Sequence, residues 1–552
     1  MHNRPLLRAL LAALILVCAG CTKVSTENGS VTGPNPWTRP GRLVYAAAQD
    51  AKTLDPLLAA NTAVGDLSMF LFSYAVRYDA HARPVPDALR EVPTVQNGDV
   101  SPDGLTLRYK LRPNIYFHDG VRMTCRDLRF TWQAVMNPAN NDITQDGYRD
   151  IRDIDCSDPL VAVVHMKRIY APFLQQLWGV NGNAAILPAH LLESLNDAKG
   201  SFNTAPYQAA PIGSGPFQFV RWDRGSQVVL KAFDRFYLGK PKLREVVFKY
   251  VPDDTTLAEQ LRTHEIDMAV HVSTQVWPLL RGVPGVAVDA PPIYTFDHVD
   301  FNLRRPLFAD VVLRRALAMA VDRTSILAKL GHGLGDLTDT ALSPKLSWAW
   351  TAGTEHYPYD VAKAKALLER DGWKLRRNGI RVKNGQRLEF DYSTQTESSS
   401  GKALQTFLQR AWREAGADVT VKNAPTAQFF DNNPAVGILQ GGHYDVASFA
   451  WTGAADPDDS AIYSGHNFPP HGQNALFWDD PVATRAMDDE LATVDQARRK
   501  RDFVIEQQRF AADVPSIVLY YRREPEAYNT DLKGYTPSPV ISPFWDPWNY
   551  SI

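Results

Sequence analysis

No sign of charge dominates the chain: 59 Lys and Arg stand against 61 Asp and Glu in 552 residues, a formal charge of −2. Without a basic excess nothing is set up to hold a phosphate backbone, which excludes nucleic acid as a partner; without an acidic run there is no solvated tail. Long apolar runs are missing too. Ala9 to Ala19 has eleven residues free of charged or strongly polar groups, too few to cross about 30 Å of hydrocarbon at 1.5 Å per residue. Catalytic signatures are absent as well. His264-Glu265 is followed by Ile266-Asp267, with no second histidine one helical turn on to complete a zinc pair. Gly213-Ser214-Gly215 lacks the spacing of a nucleophile elbow, and Gly401-Lys402 lacks both the following Ser or Thr and the upstream glycine of a phosphate loop. Asp458 and Asp459 could work as an acid–base pair, but adjacent acids in a Pro-containing loop read more readily as solvated or turn-forming. No catalytic residue, metal or cofactor is expected; a secreted hydrolase is the rival reading from another class.

What is present describes a large folded protein. The length is that of about three to four domains of ~150 residues, so two or three packed lobes are expected. Hydrophobic residues make up 45% and charged residues 22%, which excludes a disordered chain. The 38 Pro and 34 Gly are spread rather than massed, as turns joining short strands and helices require.

Arg4 and Arg8 precede the apolar run, and together they read as an export signal. The run ends in Cys18-Ala19-Gly20-Cys21, which resembles a lipobox, although Cys18 stands where Leu or another aliphatic residue is usual. On that reading residues 1–20 are removed and Cys21 is diacylated; an ordinary cleaved signal with incidental cysteines is the alternative. Two acyl chains suffice for lasting attachment, and 21–40, rich in Thr, Ser, Asn, Gly and Pro, is a tether. This implies a chain held by its lipid on the outer face of a bacterial cytoplasmic membrane. Only Cys125 and Cys156 then remain, either as a disulfide contributing about 3–4 kcal/mol or as two buried thiols.

Strand and helix patterns alternate, which predicts an α/β architecture. Val228–Leu230 and Leu243–Val251 read as strands, and Ser516–Tyr521 as a buried one after Pro515. Asp310, Asp360 and Asp495 can each cap a helix, the second stopped by Gly372.

Nine motifs in order then resemble the family 5 extracellular solute-binding proteins, the peptide, nickel and glutathione receptors of ABC importers. They begin at Thr53-Leu54-Asp55-Pro56 and include Arg77-Tyr78-Asp79, Phe117-His118-Asp119-Gly120, Gly213-Ser214-Gly215-Pro216-Phe217 and Glu265-Ile266-Asp267. Phe301-Asn302 before Arg314 to Arg323, Asp360 to Trp373, Trp451 to Pro457, and Tyr520 to Gly534 follow. His264 stands where the family usually has glycine at a helix end, so a positive φ is expected there.

The resemblance implies a two-lobed periplasmic-binding-protein fold (type II, cluster C) with a two-strand hinge. Lobe I would take 41–87, 201–297 and 515–552, an inserted subdomain 88–200, and lobe II 298–514, with Phe296–Asn302 and Ile517–Arg522 as hinge strands. It further implies a monomer that captures short peptides and hands them to separate permease and ATPase subunits, with nickel chelate, haem, glutathione or an oligosaccharide as alternative cargo. The expected ligand contacts are Trp451, Thr452, Gly453 and Asp456. In peptide-binding relatives an aspartate three residues after the tryptophan pairs with the peptide's α-ammonium; here that position is Ala454. Asp456 either supplies the carboxylate from a shifted place or makes an Asx turn ahead of Pro457, and Trp451 either walls the cleft or packs in the core.

Overall fold

The computed structural model describes residues 33–552 other than 60, 143, 181–183 and 541. Cys21, residues 1–20 and most of the 21–40 segment lie outside the described residues. Residues 39–552 form one compact unit.

A seven-stranded sheet organises the first lobe, in the spatial order Val286–Asp289, Glu526–Asn529, Met268–Ala269, Arg42–Ala47, Glu245–Tyr250, Gln227–Ala232 and Phe217–Asp223. Its centre is parallel: Arg42–Ala47 runs parallel to Met268–Ala269 on one side and Glu245–Tyr250 on the other. A central strand covered on both faces must be apolar at every position, and Leu43, Val44, Tyr45 and Ala46 are all buried. Period-two alternation divides them between two cores. Leu43 and Tyr45 enter the larger, while Val44 and Ala46 meet Leu257, Ala258 and Leu261 of the helix Asp254–Arg262.

The six-stranded sheet of the second lobe has the order Gly335–Asp336, Ser516–Arg523, Pro292–Phe301, Val446–Thr452, Glu389–Ser393 and Asp418–Val421. Helices cover it, and three of the second lobe's helices begin at the expected side chain. Asp310 accepts from the Val312 and Leu313 N–H groups, Asp360 from Lys363, and Asp495 from Ala497 and Arg498. Gly372, at φ +95°, follows the helix Val361–Arg370. The helix Gln496–Asp513 ends through Val514 at φ 48°, just before Pro515.

The chain changes sheet twice, between Asp289 and Pro292 and between Arg523 and Glu526. The Glu524 N–H donates to the Pro291 carbonyl at 2.9 Å, so the two crossings lie side by side. The strands expected at the hinge therefore belong to the second sheet, paired antiparallel with Phe296 opposite Tyr521. Residues 292–297 and 516–523, expected in lobe I, are placed there too, because the ladder continues until the proline-bearing crossings interrupt it.

Within the expected insertion 88–200, Thr106–Lys110, Val161–Met166 and Ile151–Asp158 make a three-stranded antiparallel sheet. Cys125, opening the helix Cys125–Met136, is disulfide-bonded to Cys156 on the third of these strands, with Cα atoms 5.5 Å apart. The C-terminal tail returns to the first lobe: Phe544 packs edge-on against Tyr45 at 5.2 Å, and the Gly41 N–H donates to the Ile552 carbonyl at 3.1 Å.

Several motif residues are structural. Arg77 is wholly buried, bonded through Nε to Asp87 at 2.7 Å and through its other nitrogens to the Met69 and Phe72 carbonyls, both at 2.9 Å. Tyr237 donates to the second Asp87 oxygen. His264 adopts φ 60°. Gly213 and Gly215 act by close approach rather than by turning the chain: a Cβ on either would lie 1.9 or 2.5 Å from the Leu71 backbone.

Candidate functional site

Three cavities abut along the paired strands Pro292–Phe301 and Ser516–Arg523. The first, about 210 Å³, is walled by Tyr294, Phe296, Leu342, Trp451, Pro457 and Ile462, among others. It shares Tyr294, Thr452 and Gly453 with the second, about 280 Å³, to which the first lobe contributes Thr62, Val270 and His271. The second shares Arg522 with the third, about 390 Å³, lined by Asp297, Thr394, Ser398, Ser448, Phe449 and Arg523 among others. The result is a trough beside the hinge, walled by both lobes.

The strand Val446–Thr452 carries Trp451 and Thr452 to the cavities, and Gly453 follows it. Trp451 is half-buried at the wall of the first cavity, its ring edge-on to Phe449 at 5.6 Å. Thr452 and Gly453 are exposed between the first two cavities. The two threonine hydroxyls of Thr452 and Thr295 lie 3.0 Å apart, and the Gly453 N–H donates to the Tyr294 carbonyl at 2.8 Å.

Asp456 lines the first cavity but is already engaged. Arg499 grips its two oxygens at 2.5 and 2.6 Å, and the Asp458 N–H donates to it at 3.2 Å, the Asx turn that was one of its two expected roles. Its own N–H donates to Gln175 Oε1 at 2.7 Å. A ligand ammonium would have to displace a guanidinium held bidentately. Arg499 also bonds Glu490 through Nε at 2.8 Å and Nη2 at 2.6 Å. Burial pulls the Arg499 pKa down, but Asp456 and Glu490 more than offset it and leave it above its ordinary value.

Asp458 is half-buried and forms a turn, while the Asp459 carboxylate is shut away from solvent. Both line the first cavity; Asp458 accepts the Ser460 N–H at 3.0 Å, whereas Asp459, neither of whose oxygens meets solvent, shares a proton with Glu506. Burial pushes Asp459 up to about 7, Asp458 adds to the rise, and a proton shared with Glu506 pulls partly back. Burial and then Asp459 hold Glu506 well above the usual carboxylate range. Glu490 is pushed up to about 9 by burial against the pull of Arg499. Glu490, Arg499 and Glu506 come from the helices Pro481–Leu491 and Gln496–Asp513. No local motif in the sequence marks them, since their partners lie in a loop some forty residues away.

At the other end, Arg522 grips Asp297 through two bonds of 2.7 Å across the hinge strands, and Arg523 pairs with Asp336 at 2.9 Å. At the second crossing, His271 of the first lobe bonds Glu524 at 2.6 Å and approaches Asp66 at 3.4 Å. Burial lowers its pKa, but these two carboxylates raise it well above the ordinary histidine value. Among the described residues no three His, Cys, Asp or Glu side chains are arranged to hold a metal ion, and no helix is long and apolar enough to cross a membrane.

Two lobes, two adjacent crossings and a trough beside them define a type II binding protein, a class whose lobes close over a solute. The model of bacterial extracellular solute-binding proteins, family 5, matches residues 83–472. The chain belongs to that family. It is similar to the oligopeptide-binding protein AppA of Bacillus subtilis, 24% identical over 533 residues covering 95% of this chain and 94% of the relative. It is also 24% identical to the glutathione-binding protein GsiB of Escherichia coli over 496 residues, covering 89% of this chain and 91% of the relative. Among solved structures it resembles NikZ from Campylobacter jejuni in complex with Ni(L-His), with a TM-score of 0.75, 25% identity, and coverage of 93% of this chain and 100% of that one.

Proposed function

We propose that this solute-binding protein captures short peptides between its lobes and delivers them, unaltered, to the permease of an ABC importer powered by separate ATPase subunits. The observation that carries the reading is the trough: cavities of about 210, 280 and 390 Å³ laid end to end along the hinge and walled by both lobes. An extended ligand suits that course. Every amide it brings must be matched by the cleft or cost about 1–3 kcal/mol, and the strand end at Thr452 and Gly453 offers backbone beside Trp451 for strand-like pairing. On this reading Trp451, Thr452 and Gly453 touch the ligand, and Asp456 orients Arg499 and the loop.

Attachment through Cys21 to the outer face of the cytoplasmic membrane, as a monomer, completes the proposal. Native mass spectrometry of the freshly purified protein, followed by denaturation, tests it. Co-purified peptides of two to five residues support it.

A second reading keeps the fold and changes the cargo to a small charged adduct. It is favoured by the relatives named for glutathione and for Ni(L-His), and a single such species released on denaturation would establish it.

A further inference from the structure

The near balance of charge over the whole chain conceals one local excess. Residues 363–387 carry nine Lys and Arg against two Asp and Glu, although the formal charge of all 552 residues is −2. The stretch includes most of the helix Val361–Arg370 and continues as a three-stranded antiparallel sheet, Lys374–Leu375, Arg381–Lys383 and Gln386–Arg387. It belongs to the second lobe, and none of its residues lines the three cavities of the trough. Buried Arg381 fastens it. That guanidinium donates to the Trp373 and Ala415 carbonyls at 2.7 and 2.8 Å and pairs with Glu369 at 2.9 Å. The hairpin is thereby fixed against the ends of the helices Val361–Arg370 and Ser399–Ala415.

Six of the nine cations have carboxylate partners. Lys374 shares Glu369 with Arg381, Lys383 sits between Asp310 and Asp371, and Arg387 between Glu389 and Asp418. Lys363 and Lys365 meet Asp360 and Glu414. Arg370, Arg376 and Arg377 are exposed, and no carboxylate among the described residues pairs with them. Between Lys374 and Arg376 stands Leu375, 56% exposed and the one large apolar side chain exposed in the stretch. Guanidinium forks match phosphate oxygens in pairs. A single leucine is too little for the apolar core of a lasting protein interface, which buries about 1,200 Å² or more. A layer of anionic phosphates needs no matched shape. It takes cations one by one, and a leucine set among them can enter the acyl boundary.

We propose that the hairpin tip at Arg376 and Arg377, together with Arg370 and Leu375, docks on the headgroups of anionic phospholipids. The three arginines pair with headgroup phosphates, and Leu375 enters the boundary between headgroups and acyl chains. The inference goes beyond cargo capture and rests on the proposed envelope location only for which surface the protein meets. A lipid at Cys21 alone would leave the folded body free to turn, whereas a contact on the second lobe orients it against the membrane. Because the patch lies outside the trough, docking and cargo binding are compatible. Screening confines the contact to charges within about 10 Å of the surface at 0.1 M salt, so docking is reversible.

Sedimentation with vesicles tests this on the chain from residue 22 onward, which has neither signal nor acyl group and retains the compact unit 39–552. Vesicles of phosphatidylcholine are compared with vesicles of an equal mixture of phosphatidylcholine and phosphatidylglycerol. No peptide is added, so the result is independent of the cargo reading. Each cation near an anionic surface contributes about fivefold, so the mixed vesicles should bind about a hundredfold more strongly, an advantage lost in about 0.5 M sodium chloride. Arg370→Gln, Arg376→Gln and Arg377→Gln together should bring binding to the level of the neutral vesicles, and Leu375→Ala should weaken it severalfold. Arg498→Gln, Lys500→Gln and Arg501→Gln remove the same charge from another exposed run and should leave binding nearly unchanged; melting curves verify the folding of every variant. Equal binding to both kinds of vesicle overturns the proposal. So does a preference that survives the first triple variant or falls equally in the second. Should the parent chain show no vesicle preference while the first triple variant loses binding to the solubilised permease, the patch would belong to a protein partner, and the lipid contact would be refuted.

Discussion

Asp459 shows how one side chain links the fold to its solution behaviour. Its pKa in the folded protein, about 7, lies above its ordinary value of 3.8. The folded state therefore binds the proton more tightly than the unfolded chain, and this contribution to stability is full below about pH 4 and is lost as pH rises through 7. Glu506 and Asp458 act on Asp459 directly, Asp456 and Arg499 act on Asp458, and Glu490 acts on Glu506, so Asp459 is one contributor among coupled acids. Urea unfolding followed from pH 4 to 8 should show stability declining by up to about 1.4 kcal/mol per pH unit from this group, and Asp459→Asn should flatten that slope. Arg499→Met should behave in the opposite sense. It leaves Asp456 and Glu490 buried without a cation and should cost about 3–5 kcal/mol at neutral pH by the same measurement. At this scale the sequence was only partly legible. Trp451, Thr452 and Gly453 could be placed at a cleft because their motif is contiguous, and His264 could be assigned its left-handed turn. The role of Asp456 could not be chosen between its two candidates, and the pair Asp458 and Asp459 reads as solvated or turn-forming, which holds for the turn at Asp458 but not for the buried Asp459 carboxylate. Their environment is made by Glu490, Arg499 and Glu506 from two later helices, and tertiary burial leaves no mark on local spacing.

Helices and strands were easier to read, since capping and alternation are local. Asp310, Asp360 and Asp495 begin helices for the reason their side chains suggest, and Val228–Leu230 lies within a strand running Gln227–Ala232. The hinge was less accessible. The strands around Phe296 and Ile517 were identifiable, but a strand that continues unbroken from one lobe towards the other does not announce where it changes sheet. The proline-bearing crossings at 290–291 and 524–525 do so only once the ladders are known. The Gly213–Pro216 motif belongs here too. Its first and third residues let the chain lie against the end of the helix Thr62–Leu71, with the Gly215 N–H donating to the Leu71 carbonyl at 2.9 Å. A methyl group at Gly215 would meet that backbone at 2.5 Å. Gly215→Ala should therefore destabilise the protein by about 1–3 kcal/mol or more, seen as a lower urea midpoint with an unchanged slope.

For the molecule as a whole, the connections between the two sheets are adjacent. One core runs from Leu43 and Tyr45 of the first sheet to Phe296 and Tyr521 of the second, and Val299 and Phe301 pack in another, within the second lobe. A solute bound between such bodies stabilises the closed arrangement by mass action, so a saturating ligand at a hundred times its dissociation constant should add about 2.7 kcal/mol to unfolding stability. Stabilisation alone would not separate a closing cleft from a rigid pocket. Small-angle X-ray scattering of the full chain, stripped of ligand and then saturated with the species it co-purifies with, makes that separation most directly. Closure about the crossings at 290–291 and 524–525 predicts a smaller radius of gyration in the saturated sample, with the ligand recovered chemically intact. A profile that does not change while the ligand is demonstrably bound, or a ligand recovered cleaved, would contradict the account.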